Sequence, residues 1–379
     1  MTNTDTITAI RPFTIDVPQA DLDDLQYRLA HTRYPLEAPG DDWVYGAPVS
    51  FVKEFVDYWQ HEYDWRAQEE RINAFPQFTT EIDGQTIHFI HVVSPEPNAL
   101  PLILTHGWPS SFADYLDMIG PLTDPVAYGG KAEDAFTVVI PSMPGFGFSG
   151  QTHERGWTMA RIAQTWDTLM KRLGYDRYGA HGTDGGAQVG RELGLLNPDG
   201  LVGTHVLQLF SFPSGDPAEF ENLSEKDQAG LAFLGTFQER AGFSAAMSSR
   251  PQSLSFGLSD SPAAQLAWSE LLVAFGDGSL LSKDQILTTV SIYWFTNTSA
   301  SAARSYYEEA RSGAVPAVNH APTGVAVFAD DFRTIRPWAE RDNSNIVHWS
   351  EFDAGGHWAA AEVPDVLTGD LREFFDALR

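Results

Sequence analysis

The chain has 379 residues, a formal net charge of −27 and no cysteine. Such a charge repels phosphate backbones and anionic lipid headgroups, so neither nucleic acid nor a membrane surface is an expected partner. Without thiols there can be no disulfide, thiolate nucleophile or zinc ribbon, while 43% hydrophobic residues suffice for a sizeable core.

The N-terminus, MTNTDTITAIRPF, lacks a basic n-region and an apolar h-region. No apolar run reaches the roughly 18 residues of a span, so a cytoplasmic protein is the expectation. Phe13–Val17 alternates as a short strand does, and Pro18 then opens a helix with Leu22, Leu25 and Leu29 at helical spacing. Val49–Ile72 is rich in aromatic residues and also reads as helical. A hairpin pattern centres on Asp83-Gly84. Apolar runs then recur as LPLILTHG, FTVVIPSMPGFGFS, Arg177–Ala180 and LVGTHVLQLF, separated by helical stretches such as Met159–Leu173. Strands alternating with helices imply an α/β fold with a mostly parallel sheet covered on both faces. From about Pro213 to Ala314 the alternation gives way to helices; it resumes at TGVAVFA and NIVHWSEF, before a closing amphipathic helix. The organisation expected is a segment 1–77 packed on a core of 78–212 and 315–379, with a helical cap at 213–314.

Three motifs carry chemistry. Gly182-Thr183-Asp184-Gly185-Gly186 has the form small-x-nucleophile-x-small between a strand and a helix, the pattern of a nucleophile elbow. A solvated loop aspartate is the bland alternative. His106-Gly107-Trp108-Pro109 follows an apolar strand. In such an architecture the N–H groups of Trp108 and Gly185 would form an oxyanion hole. His357 follows a strand and a double glycine near the C-terminus, and an acid is expected at the end of the preceding strand, where Asp330 and Asp331 stand. The order nucleophile, acid, histidine is that of an α/β-hydrolase triad.

An aspartate nucleophile narrows the reaction. A carboxylate is poor at acyl transfer, since an anhydride would result, but suits displacement at a tetrahedral carbon to give an alkyl ester. His357 would then activate water to hydrolyse that ester, with the oxyanion hole stabilising the second step. Epoxide opening and carbon–halogen cleavage remain; neither requires a cofactor or a metal.

With these motifs in order, the chain resembles the microsomal-type epoxide hydrolases, including their soluble bacterial members. The likeness runs from YWQHEYDWRAQEERINAFPQF through HGWPSS, PGFGFS and the elbow to RPQSLSFGLSDSPAAQLAW, YWFTNTSASAARSYYEE and GGHWAAAEVP. It implies an α/β-hydrolase core, a helical cap, a wrapping N-terminal segment, a nucleophile at Asp184 and a base at His357. The acid carries over to Asp331, with Asp330 as fallback, because Ala329 replaces a proline frequent in the family. Two cap tyrosines of the family bind and protonate the epoxide oxygen. The second matches Tyr306, beside Tyr307; the first falls on Phe243, which has no donor, so Gln238, Ser244, water or the substrate would have to supply it. The membrane anchor common in animal members is not expected here, since no apolar run of a span's length precedes the matching segments.

The substrate implied is a small-molecule epoxide. The aromatic cap residues Phe220, Phe233, Phe237, Phe243, Phe256 and Trp268 suggest an apolar or aromatic one, though they are equally suited to a cap core. A homodimer is left open. A dehalogenase on the same core is the alternative, disfavoured because Gly185 offers no halide-binding side chain after the nucleophile. A weakened binding homologue, encouraged only by Phe243, is the third reading, and a biosynthetic hydrolase differs from the first only in substrate.

Overall fold

The computed structural model describes residues 9–40, 43–221, 223–274 and 280–379; the side chains of residues 238–240 and 274 lie outside the description. The described strands form one nine-stranded sheet in the order β1-β2-β3-β5-β4-β6-β7-β8-β9. Strands β1 (Arg11–Phe13), β2 (Gln77–Ile82) and β3 (Gln85–Val92) pair antiparallel, and β3 pairs antiparallel with β5 (Phe136–Pro141). From there β4 (Leu100–Thr105), β6 (Tyr178–Gly182), β7 (Leu201–Val206), β8 (Thr323–Asp330) and β9 (Ile346–Gly356) continue in parallel. The central strands are almost wholly buried, as the unbroken apolar runs require when helices cover both faces.

The first strand is shorter than its alternation suggests. Ile15 and Val17 point into the core, but their N–H groups donate to Asn73 Oδ1 (3.0 Å) and Glu69 Oε1 (2.8 Å). Side chains thus take the bonds that a neighbouring strand would have taken. Helix α1 (Gln19–Ala30) follows. The aromatic stretch is two helices, α2 (Val49–His61) and α3 (Trp65–Asn73). The chain turns between them because Asp64 accepts the N–H groups of Arg66 and Ala67 and caps a new helix. The N-terminal segment reaches well beyond the sheet: Arg28 bonds Asp260, Tyr58 donates to Asp284 at 2.9 Å, and Trp65 packs on Phe295.

Helix α4 (Leu116–Thr123) lies on one face of the sheet, and α5 (Met159–Arg172) and α6 (Gly185–Leu196) on the other. Between β7 and β8 comes a helical insertion: α7 (Glu225–Arg240), α8 (Gly242–Ser249), α9 (Pro251–Asp260), α10 (Pro262–Trp268), α11 (Lys283–Thr296) and α12 (Ser299–Glu309). Helix α11 starts with a capping box in which Ser282 and Gln285 satisfy each other's backbone. It is buried nearly all round, which explains its weak sequence periodicity. Helices α13 (Arg336–Asp342) and α14 (Pro364–Asp376) complete the chain. The turns after β4, β5, β6, β7, β8 and β9 all leave the C-terminal edge of the sheet, where α/β folds bind ligands.

Candidate active site

Asp184 follows β6 and has φ 52°, ψ −121°. A non-glycine residue there is strained by roughly 1–3 kcal/mol, so the neighbours must hold it. A Cβ on Gly182 would overlap the Gly186 carbonyl, and one on Gly186 would overlap that of Thr105. Both positions therefore require glycine. Gly185 does not: a Cβ there would meet nothing nearer than 3.7 Å. The glycines around the aspartate thus differ in purpose.

The Asp184 carboxylate is held from two sides. Oδ1 accepts the N–H of Trp108 at 2.9 Å, and Oδ2 lies 3.2 Å from His357 Nε2. Gly185 is the first residue of α6, where backbone N–H groups have no intrahelical acceptor and favour negative charge. The turn carrying Trp108 is tied to the turn after β5 through His106, whose Nε2 accepts from Met143 N–H at 3.2 Å while Nδ1 bonds the Gly107 carbonyl at 2.9 Å. Burial pushes that imidazole down to about 4, so it stays neutral in this role.

Asp331 is the carboxylate the structure brings to His357; it is 1% exposed, and Asp330 at the end of β8 faces solvent. Asp331 Oδ1 accepts from His357 Nδ1 and from the Phe332 N–H, at 2.5 and 2.6 Å. Burial alone would lower the His357 pKa, but the Asp331 and Asp184 carboxylates outweigh it and raise it to about 10. His357 is thus an imidazolium between two carboxylates.

Gln208 was not visible as a site residue in the sequence. It lies just past β7 and touches every part of this arrangement. Its Oε1 accepts the Asp184 N–H at 2.6 Å, and its Nε2 donates to Asp331 Oδ2 and reaches the His357 carbonyl at 3.4 Å. The only signal was one amide inside the apolar run LVGTHVLQLF. Glu362 is a second omission. Its Oε2 accepts the Gly356 N–H at 2.5 Å, and burial raises its carboxyl to about 7.

A cavity of about 220 Å³ opens above Asp184. Trp108, Met143, Phe146 and Met159 form its apolar lining, and Tyr306 on α12 shares it. Burial, and then the charge of Asp184, raise the Tyr306 phenol well above its ordinary pKa, so it remains a donor. Tyr307 instead faces a separate groove, under the Arg311 guanidinium. Phe243 packs on Trp108 with ring centroids 5.4 Å apart, and meets Tyr306 edge-on at 6.2 Å. Ser244 lines the cavity; the side chain of Gln238 lies outside the described residues. The insertion's aromatic residues are not concentrated here. Trp268 reaches Trp108, but Phe256 is 73% exposed and Phe220 pairs with Trp338.

Among the described residues, His205, His348 and Asp370 could share a metal ion. Asp370 already joins both histidines, at 2.8 Å each, and none of the three lines the cavity. Their hydrogen bonds satisfy the cluster without an ion.

Residues 10–115 match the family model described as the epoxide hydrolase N terminus. A Stigmatella aurantiaca protein assigned to the epoxide hydrolases is 44% identical, covering 98% of this chain and 86% of its own length. Epoxide hydrolase 1 of Sus scrofa is 30% identical over 98% of this chain and 89% of its own. The Aspergillus niger epoxide hydrolase structure superposes with a TM-score of 0.88 at 31% identity, over 99% of this chain and 98% of the other. On an α/β-hydrolase fold with this N-terminal segment and helical insertion, the chain belongs to the microsomal-type epoxide hydrolase family.

Proposed function

We propose that this epoxide hydrolase adds water to an epoxide in two steps, through an ester on Asp184, and releases a vicinal diol. In the first step Asp184 Oδ2 attacks a ring carbon, the carbon–oxygen bond breaks, and Tyr306 gives its proton to the departing oxygen. Oδ1, already bonded to the Trp108 N–H, becomes the ester carbonyl. Alkylation removes the Asp184 charge. That charge helps keep both the Tyr306 phenol and the His357 imidazolium protonated. Its loss eases ionisation of Tyr306 and lowers the His357 pKa together.

Once Asp184 is esterified, His357 releases its imidazolium proton to solvent; in the second step the neutral imidazole takes a proton from water, and the resulting hydroxide adds to the ester carbonyl. The N–H groups of Trp108 and Gly185 stabilise the oxyanion. Collapse expels the diol oxygen, which receives the proton from His357. Asp331 and Gln208 hold the imidazole throughout. The regenerated Asp184 carboxylic acid passes its proton to His357, and Tyr306 takes from solvent the proton that His357 released, so the sum is epoxide plus water to diol.

The observation that supports this reading is one carboxylate bonded on Oδ1 by a backbone N–H and on Oδ2 by His357, facing a cavity shared with Tyr306. The apolar lining favours a small epoxide with an apolar flank. Gly185 offers no side-chain donor for a halide, which weighs against dehalogenation. The test is His357→Gln treated with an epoxide. Mass spectrometry should find the substrate's mass added to the Asp184 peptide, with turnover reduced about a thousandfold or more. An unmodified peptide would remove Asp184 as the nucleophile.

A further inference from the structure

One part of the Asp184 cavity is polar in a way the two steps do not use. Gln188 lies one turn past the nucleophile on α6, Ser244 and Ser248 lie one turn apart on α8, and Glu309 ends α12. All four line the cavity, each only partly exposed. Glu309 is fixed in place: its Oε2 accepts the Met159 N–H at 2.9 Å, at the start of α5. Its Oε1 has no hydrogen-bond partner among the described residues, and neither do the side chains of Gln188, Ser244 and Ser248. Among the described residues, no lysine or arginine lines the cavity. Glu192, one turn beyond Gln188, is held above the usual carboxylate range by burial, with the Glu309 charge adding to it against the lowering effect of Arg191.

We propose that this wall receives a hydrogen-bond-donating substituent of the epoxide, an ammonium or a hydroxyl, with Glu309 Oε1 as its acceptor, and that it turns away epoxides bearing a carboxylate. The proposal rests on the hydrolytic reading and adds the substrate class. A charge-assisted bond to a half-buried carboxylate is stronger than a neutral one, and the same carboxylate, with Asp184 nearby, repels an anion that meets no lysine or arginine among the described lining residues. The net charge of −27 also raises the local concentration of cationic molecules. If Glu309 served only to cap α5, a glutamine would replace it, since the amide oxygen can still accept from Met159.

The experiment compares kcat/KM for a chain-matched set of terminal epoxides ending in methyl, hydroxyl, ammonium or carboxylate. The wild-type enzyme should prefer ammonium and hydroxyl over methyl, and carboxylate should rank last. Glu309→Gln should lower the ammonium-to-methyl ratio by about tenfold. Both substrates are measured on the same preparation, so partial loss of folded enzyme cancels in the ratio. Glu309→Lys should invert the ranking towards carboxylate. Two outcomes overturn the proposal while leaving the hydrolytic reading intact: methyl turned over as well as ammonium by the wild type, or an ammonium-to-methyl ratio that Glu309→Gln leaves unchanged. No turnover of any member would overturn both.

Discussion

The two sides of the Asp184 cavity are built differently. On the sheet side, the polar atoms around Asp184 have named partners: Trp108 N–H and His357 on the carboxylate, Gln208 on the Asp184 N–H, and Asp331 on His357. On the insertion side, Phe243 and Tyr306 lean on Trp108, while Ser244, Ser248 and Glu309 present polar atoms to the cavity. A site saturated with internal bonds is preorganised and tolerates little change. A wall with uncommitted groups can be altered without dismantling the fold. In the proposed mechanism the nucleophile, base and acid therefore belong to the sheet, while the insertion supplies the proton donor Tyr306 and the choice of substrate.

The sharpest way to break this contrast is at the elbow glycines. Gly186→Ala places a methyl group on the Thr105 carbonyl, so the strained turn cannot close. The expected loss is several kcal/mol, at the upper end for single substitutions, and urea melts should show it as a lost or greatly weakened transition. Gly185→Ala has room for its methyl group and should keep wild-type stability to within about 1 kcal/mol. Equal stability of the two variants would contradict the packing described for the elbow.

Gln208→Leu comes next. It leaves the Asp184 N–H and Asp331 Oδ2 without the partner that holds them, at a cost on the order of 1–3 kcal/mol in stability. Turnover should fall about ten- to a hundredfold. The pH profile tells whether the loss is merely structural. In the free enzyme His357 is raised to about 10 by two carboxylates. Once Asp184 is esterified only Asp331 remains, so the pKa falls. In the proposed mechanism the neutral imidazole is the working form in ester hydrolysis, so its rate should rise with pH and level off above an apparent pKa below 10. In Gln208→Leu, with Asp331 less firmly placed, that pKa should shift further towards the ordinary histidine value of about 6.5. Single-turnover decay of the ester across pH measures it. An unshifted profile would make Gln208 a packing residue only.

This division also marks what was legible from the residues. The elbow, the HGWP turn and the GGH turn each need particular residue types in adjacent positions, so they are visible in one sequence. Asp331 and Asp330 could not be separated by spacing, because β8 runs through Asp330 and only the folded turn decides which side chain enters the core. Gln208 depends on contacts with β6, β8 and β9 turns that are far apart in the chain. Nothing in the sequence singles out Glu309, whose place is set only when α5 is packed against it. The aromatic residues of the insertion suited a cap core as well as a pocket lining, because aromatic content does not record which way a helix faces.

The finest test uses the two aromatic positions on the insertion side. Tyr306→Phe removes the donor that shares the cavity with Asp184, and alkylation should slow by about a hundredfold, with ester hydrolysis nearly unchanged. Phe243→Tyr is the smaller and more informative change. The ring already packs on Trp108 and edge-on to Tyr306, so a hydroxyl alters little of the packing. If the ring edge reaches the substrate oxygen, the new donor should speed alkylation a few-fold, up to about tenfold, in wild-type background. In a Tyr306→Phe background the gain should be larger, because one donor is then being restored rather than a second added. Rapid-quench measurement of ester formation in the four combinations gives the coupling between the positions directly. Strict additivity would mean that the two rings never act on the same oxygen, and that Phe243 serves to hold Trp108 and its oxyanion-binding N–H in place.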